Sequence, residues 1–427
     1  MAPEERVFAK CAWRLIPFMV TLYVVNFLDR VNVGFAALTM NKDLGFSPAV
    51  FGFGAGLFFV GYFLCQIPAN LILQRLGARR WIFCILAVWG VISMANAAVQ
   101  GPSSFYVLRF LLGVAEAGFF PGMIFYLTLW FPRSYRARFT AGFMTAVPLA
   151  NIIGAPVSGL ILGMNGTSQL AGWQWLFLLE GLPAVILAFA VLRFLPDGPA
   201  AAPWLTGQEK ETIAVRIAAE DSRTHHRLRR ALRDPRVLAL CPVGLGLSFG
   251  NYGVGLWLPQ IVKGMGFTNL ATGLVVAVPS IAGMIAMILW GRSSDRHGER
   301  VKHVAGAAAL AAGSLVVASI AGSNLVILVA LTFATIGIYA ALPTFYSVPS
   351  MFLSGTAAAG GIALVNTFGT GLGGFLGPTI VGLLKQDTGG YAAGMLALAL
   401  GLTVSATILL TMANRGKTVG EPLRSLP

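Results

Sequence analysis

The chain has 427 residues, 56% of them hydrophobic and only 11% charged, with 30 Lys and Arg against 16 Asp and Glu. A mean hydropathy of +0.76 and recurring apolar runs of about 20 residues, the length that crosses a bilayer core as a helix, exclude a soluble globular protein. The formal charge of +14 sits mainly in alternate loops, so it is a topological signal and not a nucleic-acid-binding surface.

In chain order, the first apolar run begins near Trp13 and is too long, and wrongly flanked, for a cleaved signal peptide. It is span 1 of an all-α polytopic membrane protein. Spans 1 to 6 fall near 13–38, 48–73, 81–100, 104–130, 139–163 and 173–195, and spans 7 to 12 near 237–262, 270–291, 303–321, 324–347, 356–384 and 391–413. The chain divides into a six-helix bundle over 1–195, a polar linker over 196–236, and a second bundle over 237–427, as duplicated halves require. In the linker, Thr206 and Glu209 have capping-box spacing, which predicts a short surface helix.

Lys and Arg orient the spans. They precede span 1 (Arg6, Lys10, Arg14) and fill alternate loops: Arg75, Arg79 and Arg80; Arg133, Arg136 and Arg138; Arg223 to Arg236; Arg292 to Lys302. The opposite loops hold little beyond Lys42, Lys263 and Lys385, which predicts cytoplasmic termini.

Five charged residues lie well inside spans: Asp29 and Arg30 in VVNFLDRVNVGF, Arg109 and Glu116 on span 4, and Glu180 after WQWLFLLE on span 6. Such groups are costly in hydrocarbon and face a bundle interior or a water-filled cavity. Arg109 and Glu116 are seven residues apart, on one helical face and about 10 Å apart along the axis, with Arg30 and Arg109 at comparable depth. These four are expected to surround one cavity, with Asp29 and Glu116 compensating Arg30 and Arg109 when it is empty. Glu180 reads first as a structural acid. A guanidinium suits a carboxylate better than an ammonium does, so the cavity suits an organic anion. A carboxyl group beside the same arginine would take up a proton as that anion binds, which is symport.

Spans 7 to 12 carry no ionised group. They offer Asn251, Tyr252, Trp257 and Gln260, then Tyr339, Phe345, Tyr346 and Ser347, and Asn366, some of which are expected to contact the uncharged part of a substrate. Gly369, Gly371 and Gly374 spell GxGxxG inside a span with no preceding strand, which points to helix packing and not to a dinucleotide. Cys11, Cys65, Cys84 and Cys241 form no metal or redox motif, and His225, His226, His297 and His303 all fall at the cytoplasmic side. With no clustered acids or base at a membrane face, a polytopic transferase is disfavoured; no metal and no resident cofactor are expected.

The loop LQRLGARRW after span 2 is echoed by GRSSDRHGER after span 8. This pair resembles the G-x-x-x-D-R-x-G-R-R pattern of the major facilitator superfamily, although the first copy has Ala69 or Asn70 for the glycine and Gln74 for the acid. The resemblance implies a conformational latch at Arg75, Gly77, Arg79, Asp295, Arg296 and Gly298. N-F-L-D-R-V-N on span 1, G-Y-F on span 2 and R-F-L-L-G-V-A-E-A on span 4 resemble the anion:cation symporter family, with RVNVGFAALTMNKDLGFS and the WLT near 204 most similar to its tartrate and aromatic-acid branch. That resemblance implies that Arg30 holds a substrate carboxylate, that Asp29 and Glu116 carry coupling protons, that Arg109 modulates them, and that Tyr62 lines the cavity. Asn366 resembles the family's asparagine beside the span 11 glycines. The expected partners are a small organic anion, a proton and the lipid bilayer, for a monomer in a bacterial cytoplasmic membrane. A proton-driven antiporter is the alternative: GAPVSG on span 5 is similar to the antiporter G-P motif with Ala155 inserted.

Overall fold

The computed structural model describes residues 3–132, 135, 145–221, 234–353 and 355–414. Among these, twelve helices are long and apolar enough to cross a membrane, at the expected places. Arg133, Arg136, Arg138, the basic run Arg223 to Arg233, and His225 and His226 lie outside the described residues.

Where boundaries differ from the sequence reading, local chemistry explains the difference. Span 1 starts ten residues early, as part of Pro3–Asp43, because its polar first turns are held by the linker. Lys10 contacts Glu209 at 2.8 Å and Arg216 contacts Glu4 at 3.1 Å. The linker helix, Gly207–Asp221, forms where the capping box predicts it. The Thr206 amide donates to Glu209 at 2.8 Å and the Glu209 amide to the Thr206 hydroxyl at 3.3 Å. Before it, Trp204 stacks on Trp130 at 5.4 Å and lies under the Arg14 guanidinium at 5.3 Å.

Span 4 is two helices, Pro102–Glu116 and Phe119–Trp130. Pro121 has no N–H and its ring crowds the carbonyl four residues back, at Ala117. Beside this break the Trp81 indole donates to the Gly118 carbonyl at 3.2 Å, which also accepts the Gly122 amide at 3.0 Å. Span 11 is likewise interrupted: Gly355–Phe368 and Gly374–Thr388 flank a π-helical turn, Gly369–Gly373. The glycines of the GxGxxG string press on span 7 at Gly244 and on span 2 at Phe63 and Phe59, so they serve close packing.

The two groups of six spans meet through spans 2 and 11, 5 and 8, and 1 and 7. Spans 2 and 8, and 5 and 11, are equivalent under the duplication, so the first two contacts are images of each other. The tightest approaches lie toward the ends remote from the termini. A Cβ on Gly273 of span 8 would stand 2.2 Å from the Ala155 carbonyl of span 5, and one on Gly52 of span 2 would stand 2.5 Å from the Pro378 carbonyl of span 11. Trp257 belongs to this seam: its indole donates to Pro378 at 3.1 Å and its ring meets Phe51 edge-on at 5.1 Å.

Two outcomes follow. Gly273→Val should insert and fold but be unable to close the seam between spans 5 and 8, so thiol labelling at Thr272→Cys, the buried neighbour of Gly273, in a background without the native cysteines, should rise while transport falls at least tenfold. The Glu209 carboxyl is held below the usual range by the Lys10 ammonium and then by the Thr206 amide. A lowered folded-state value means that its contribution is present above the ordinary value of about 4.3 and is lost as pH falls through the folded one. The hydrogen-exchange protection of 207–221, taken relative to the intrinsic rate at each pH, should therefore fall in acid, and Glu209→Gln should give the reduced protection already at neutral pH.

Candidate functional site

Span 1 sends successive side chains to different neighbours, because adjacent residues on a helix point about 100° apart. Asn26 and Arg30, four residues apart, face span 4. The Arg30 guanidinium contacts a Glu116 carboxylate oxygen at 3.0 Å and the Asn26 amide donates to the same oxygen at 2.9 Å. Asp29 turns instead toward span 3. It accepts from the Trp89 indole at 2.7 Å, from the Ser93 hydroxyl at 2.7 Å and from Asn32, one turn on, at 3.2 Å. The expected pooling of both acids around both arginines is thus corrected: Glu116 serves Arg30, and Asp29 is held by neutral donors. All four charged residues are buried, Asp29, Arg109 and Glu116 completely.

Arg109 is the anomaly. Its three guanidinium nitrogens have no hydrogen-bond partner, although it is fully buried. What holds it is the ring of Phe58, 5.1 Å from its guanidinium carbon. The same ring lies 5.2 Å from the Arg30 guanidinium, and the Tyr62 ring lies 5.1 Å from it. Both arginines therefore lie on one aromatic platform. Gly113 makes this possible: a Cβ there would fall 1.8 Å from the Phe58 carbonyl, so spans 2 and 4 touch backbone to backbone beside the ring.

Glu180 accepts from the Ser158 hydroxyl at 2.6 Å, which ties span 6 to span 5, and lies next to Asn32. It joins the edge of the Asp29 cluster and not the arginine platform.

Of the neutral candidates, Tyr62 lies against Arg30 as described, and on span 7 the Tyr252 ring is 4.3 Å from Phe59, the neighbour of Phe58. Tyr346 donates to Asn366 at 2.9 Å, and Thr370 donates to the same oxygen at 3.1 Å, just before the π turn. Asn251 lines a cavity between the two groups of spans. Trp257 sits in the seam described above, apart from the arginines. Asn26, Asn32, Phe58, Trp89 and Ser93 were missed. Only Asn26 and Asn32 carried a signal, their three- and four-residue spacing from Asp29 and Arg30.

The latch residues remain within their own halves. Arg79 donates to the Leu192 carbonyl and lies 3.5 Å from Asp197. Gly77 and Gly298 take positive φ, 78° and 62°, and end spans 2 and 8. Asp295 lies 3.7 Å from Arg300, while Arg75 and Arg296 are exposed. Glu299, beside them, is pushed up by burial, but the Lys302 amide and His303 outweigh this and leave it below the usual carboxylate range.

Comparison with known proteins bears on this geometry. A family profile described as Major Facilitator Superfamily matches residues 19–378. A protein of Agrobacterium vitis named for tartrate transport is 51% identical over 96% of this chain and 95% of its own. The Quinolone resistance transporter of Acinetobacter baumannii is 42% identical over 93% and 92%, and the inner membrane transport protein RhmT of Escherichia coli 40% over 96% and 95%. Among solved structures, an inward-facing, unoccupied bacterial homologue of the lysosomal transporter Spinster superposes with a TM-score of 0.79 at 17% identity, covering 99% of this chain and 100% of that one. A D-xylose-proton symporter superposes with a TM-score of 0.73 at 16% identity, covering 96% and 99%. These last two speak for the fold alone. The profile match and the full-length relatives establish that this chain is a membrane transporter, not an enzyme, and that it belongs to the major facilitator superfamily, among its anion:cation symporter-like members.

Proposed function

We propose that this protein imports a small organic carboxylate together with protons across a bacterial cytoplasmic membrane, by alternating access and as a monomer. The observation that carries the reading is the buried pair of Arg30 and Glu116 at 3.0 Å. A substrate carboxylate needs the same guanidinium that Glu116 occupies. Binding therefore displaces Glu116, and a carboxylate stripped of its cation inside a low-dielectric cavity is stabilised by taking a proton. Anion and proton then bind together and leave together. Arg30 and Tyr62 receive the charged end, Arg109 supplies positive potential without being reached, and Asn251, Tyr252, Tyr346 and Asn366 face the remainder. The proton gradient is the driving force, and no cofactor enters.

With both termini cytoplasmic, the arrangement that the distribution of Lys and Arg supports, the tight seam faces outward, as in an inward-facing state. Asp29 is the second coupling candidate. Its three neutral donors suit an ionised carboxylate, and they keep it from Arg30 while Glu116 is there.

The identity to a resistance transporter favours a second reading, proton-driven export of organic compounds. The two differ in direction. In right-side-out vesicles an inward proton gradient should drive accumulation of a labelled carboxylate; exclusion of that carboxylate, with the uptake seen only in inverted vesicles, sinks the import reading.

Arg30→Lys retains the charge but not the planar fork, so transport efficiency should fall about 10- to 100-fold, the range for charged hydrogen bonds; near-normal uptake removes Arg30 from the site. Glu116→Gln mimics the protonated acid. Proton-driven accumulation should vanish while counterflow exchange, which needs no net proton movement, persists. If exchange and thermal stability are lost together, Glu116 is only the structural partner of Arg30, and if accumulation survives, coupling passes to Asp29.

A further inference from the structure

Span 6 buries an acid that the arginine platform does not use. Glu180 accepts from the Ser158 hydroxyl of span 5 through one carboxyl oxygen, Oε1, at 2.6 Å, while Oε2 is buried without a hydrogen-bond partner. Among the described residues no Lys or Arg pairs with it. The charged group that faces it from the neighbouring helices is Asp29 of span 1, its electrostatic neighbour. Span 3 packs Ser93 and Met94 on the adjoining Gly181, and the turns 96–98 and 162–164 hold no titratable side chain. The arginines of span 3, Arg79 and Arg80, are about 20 Å from Ser93 along the helix.

Asn32 lies between the two acids. Its amide nitrogen donates to Asp29 at 3.2 Å, its side chain is also next to Glu180, and its carbonyl oxygen is buried without a donor. Two orphaned acceptors, Asn32 Oδ1 and Glu180 Oε2, thus stand on neighbouring side chains. A proton on Glu180 Oε2 supplies the missing donor and removes an ionised group that no cation offsets. Asp29, with three donors, is the member of the two suited to stay ionised.

The two acids differ in depth. The Trp173 indole donates to Asp43 at 3.0 Å, so the start of span 6 and the end of span 1 lie together, on the side remote from the termini. Glu180 is eight residues from Gly172 and Asp29 fourteen from Asp43. At 1.5 Å per residue these are about 12 and 21 Å, so Glu180 stands nearer that side.

We propose that Glu180 is a third proton-binding residue of the transport cycle: it carries a proton in this conformation and is the station from which Asp29 is loaded. The inference rests on the symport reading above. Loading breaks the O–H bond at Glu180 and forms one at Asp29, with a water molecule carrying the proton because the Asn32 amide cannot. The pair keeps a single negative charge, and the Asn32 amide, turned over, then donates to Glu180 and accepts from Asp29. Glu180 regains its proton from the outer side, to which it is the nearer.

Two measurements on the full-length protein test this. In infrared spectra of purified protein at neutral pH, wild type minus Glu180→Gln should show the carbonyl band of a neutral carboxyl group, and Ser158→Ala, which removes the hydrogen bond to Oε1, should shift that band. In right-side-out vesicles, with tartrate, succinate, gluconate and benzoate as labelled probes, Glu180→Gln should slow proton-driven accumulation at least tenfold while counterflow exchange stays within twofold. A carboxylate band in place of the neutral one, wild-type accumulation by Glu180→Gln, or equal loss of accumulation, exchange and thermal stability overturns the assignment and leaves symport through Glu116 and Asp29 intact. If the wild-type protein accumulates none of the four acids under an inward proton gradient, the symport reading fails and this inference with it.

Discussion

An ion pair inside a membrane constrains everything around it. Placing Arg30 and Glu116 in the bilayer interior costs several kcal/mol for either charge left alone, so their contact at 3.0 Å must be enforced by the fold. Three features do this. The break after Glu116 ends the first helix of span 4 where the carboxylate is needed. Gly113 lets span 2 lie against span 4, so that Phe58 and Tyr62 present their rings to the guanidinium. Asn26 gives the carboxylate a second donor from the same helix as Arg30. The pair is thus held by one salt bridge, which in the proposed mechanism a substrate carboxylate replaces.

Arg109 makes the opposite bargain. A fully buried guanidinium with three unpartnered nitrogens is destabilising, and its attraction to the Phe58 ring offsets only part of that. Stability alone would favour an apolar residue here. In the proposed mechanism this leaves a positive charge next to the site from which Glu116 is displaced, and that charge attracts an incoming anion whichever partner Arg30 holds.

The two halves divide the chemistry. The first six spans hold every membrane-embedded charge, and the last six answer with amides, hydroxyls and aromatic rings. Their contacts converge on glycines that let backbones meet at the side remote from the termini. Seams of small residues close tightly and part without breaking ion pairs, so the halves can rock while the costly charges stay together on one side.

The twelve spans were legible in the sequence because hydrocarbon thickness demands about 20 apolar residues at a time, and the surface helix because a capping box is a local signal. The charged site residues were equally legible: Asp29, Arg30, Arg109 and Glu116 stand out wherever apolar residues are the rule. Their pairing was not. Sequence spacing places Asp29 and Arg30 side by side, but which of them meets Glu116 depends on how span 1 is rotated against spans 3 and 4, where Trp89 and Ser93 of span 3 hold Asp29. Trp257 shows the same limit, since an aromatic residue on a lining span serves a seam or a ligand according to the tilt of its helix. Composition and periodicity determined the fold and the identity of the charges; only tertiary packing, which sums contacts from helices distant in sequence, decided which charge each one faces.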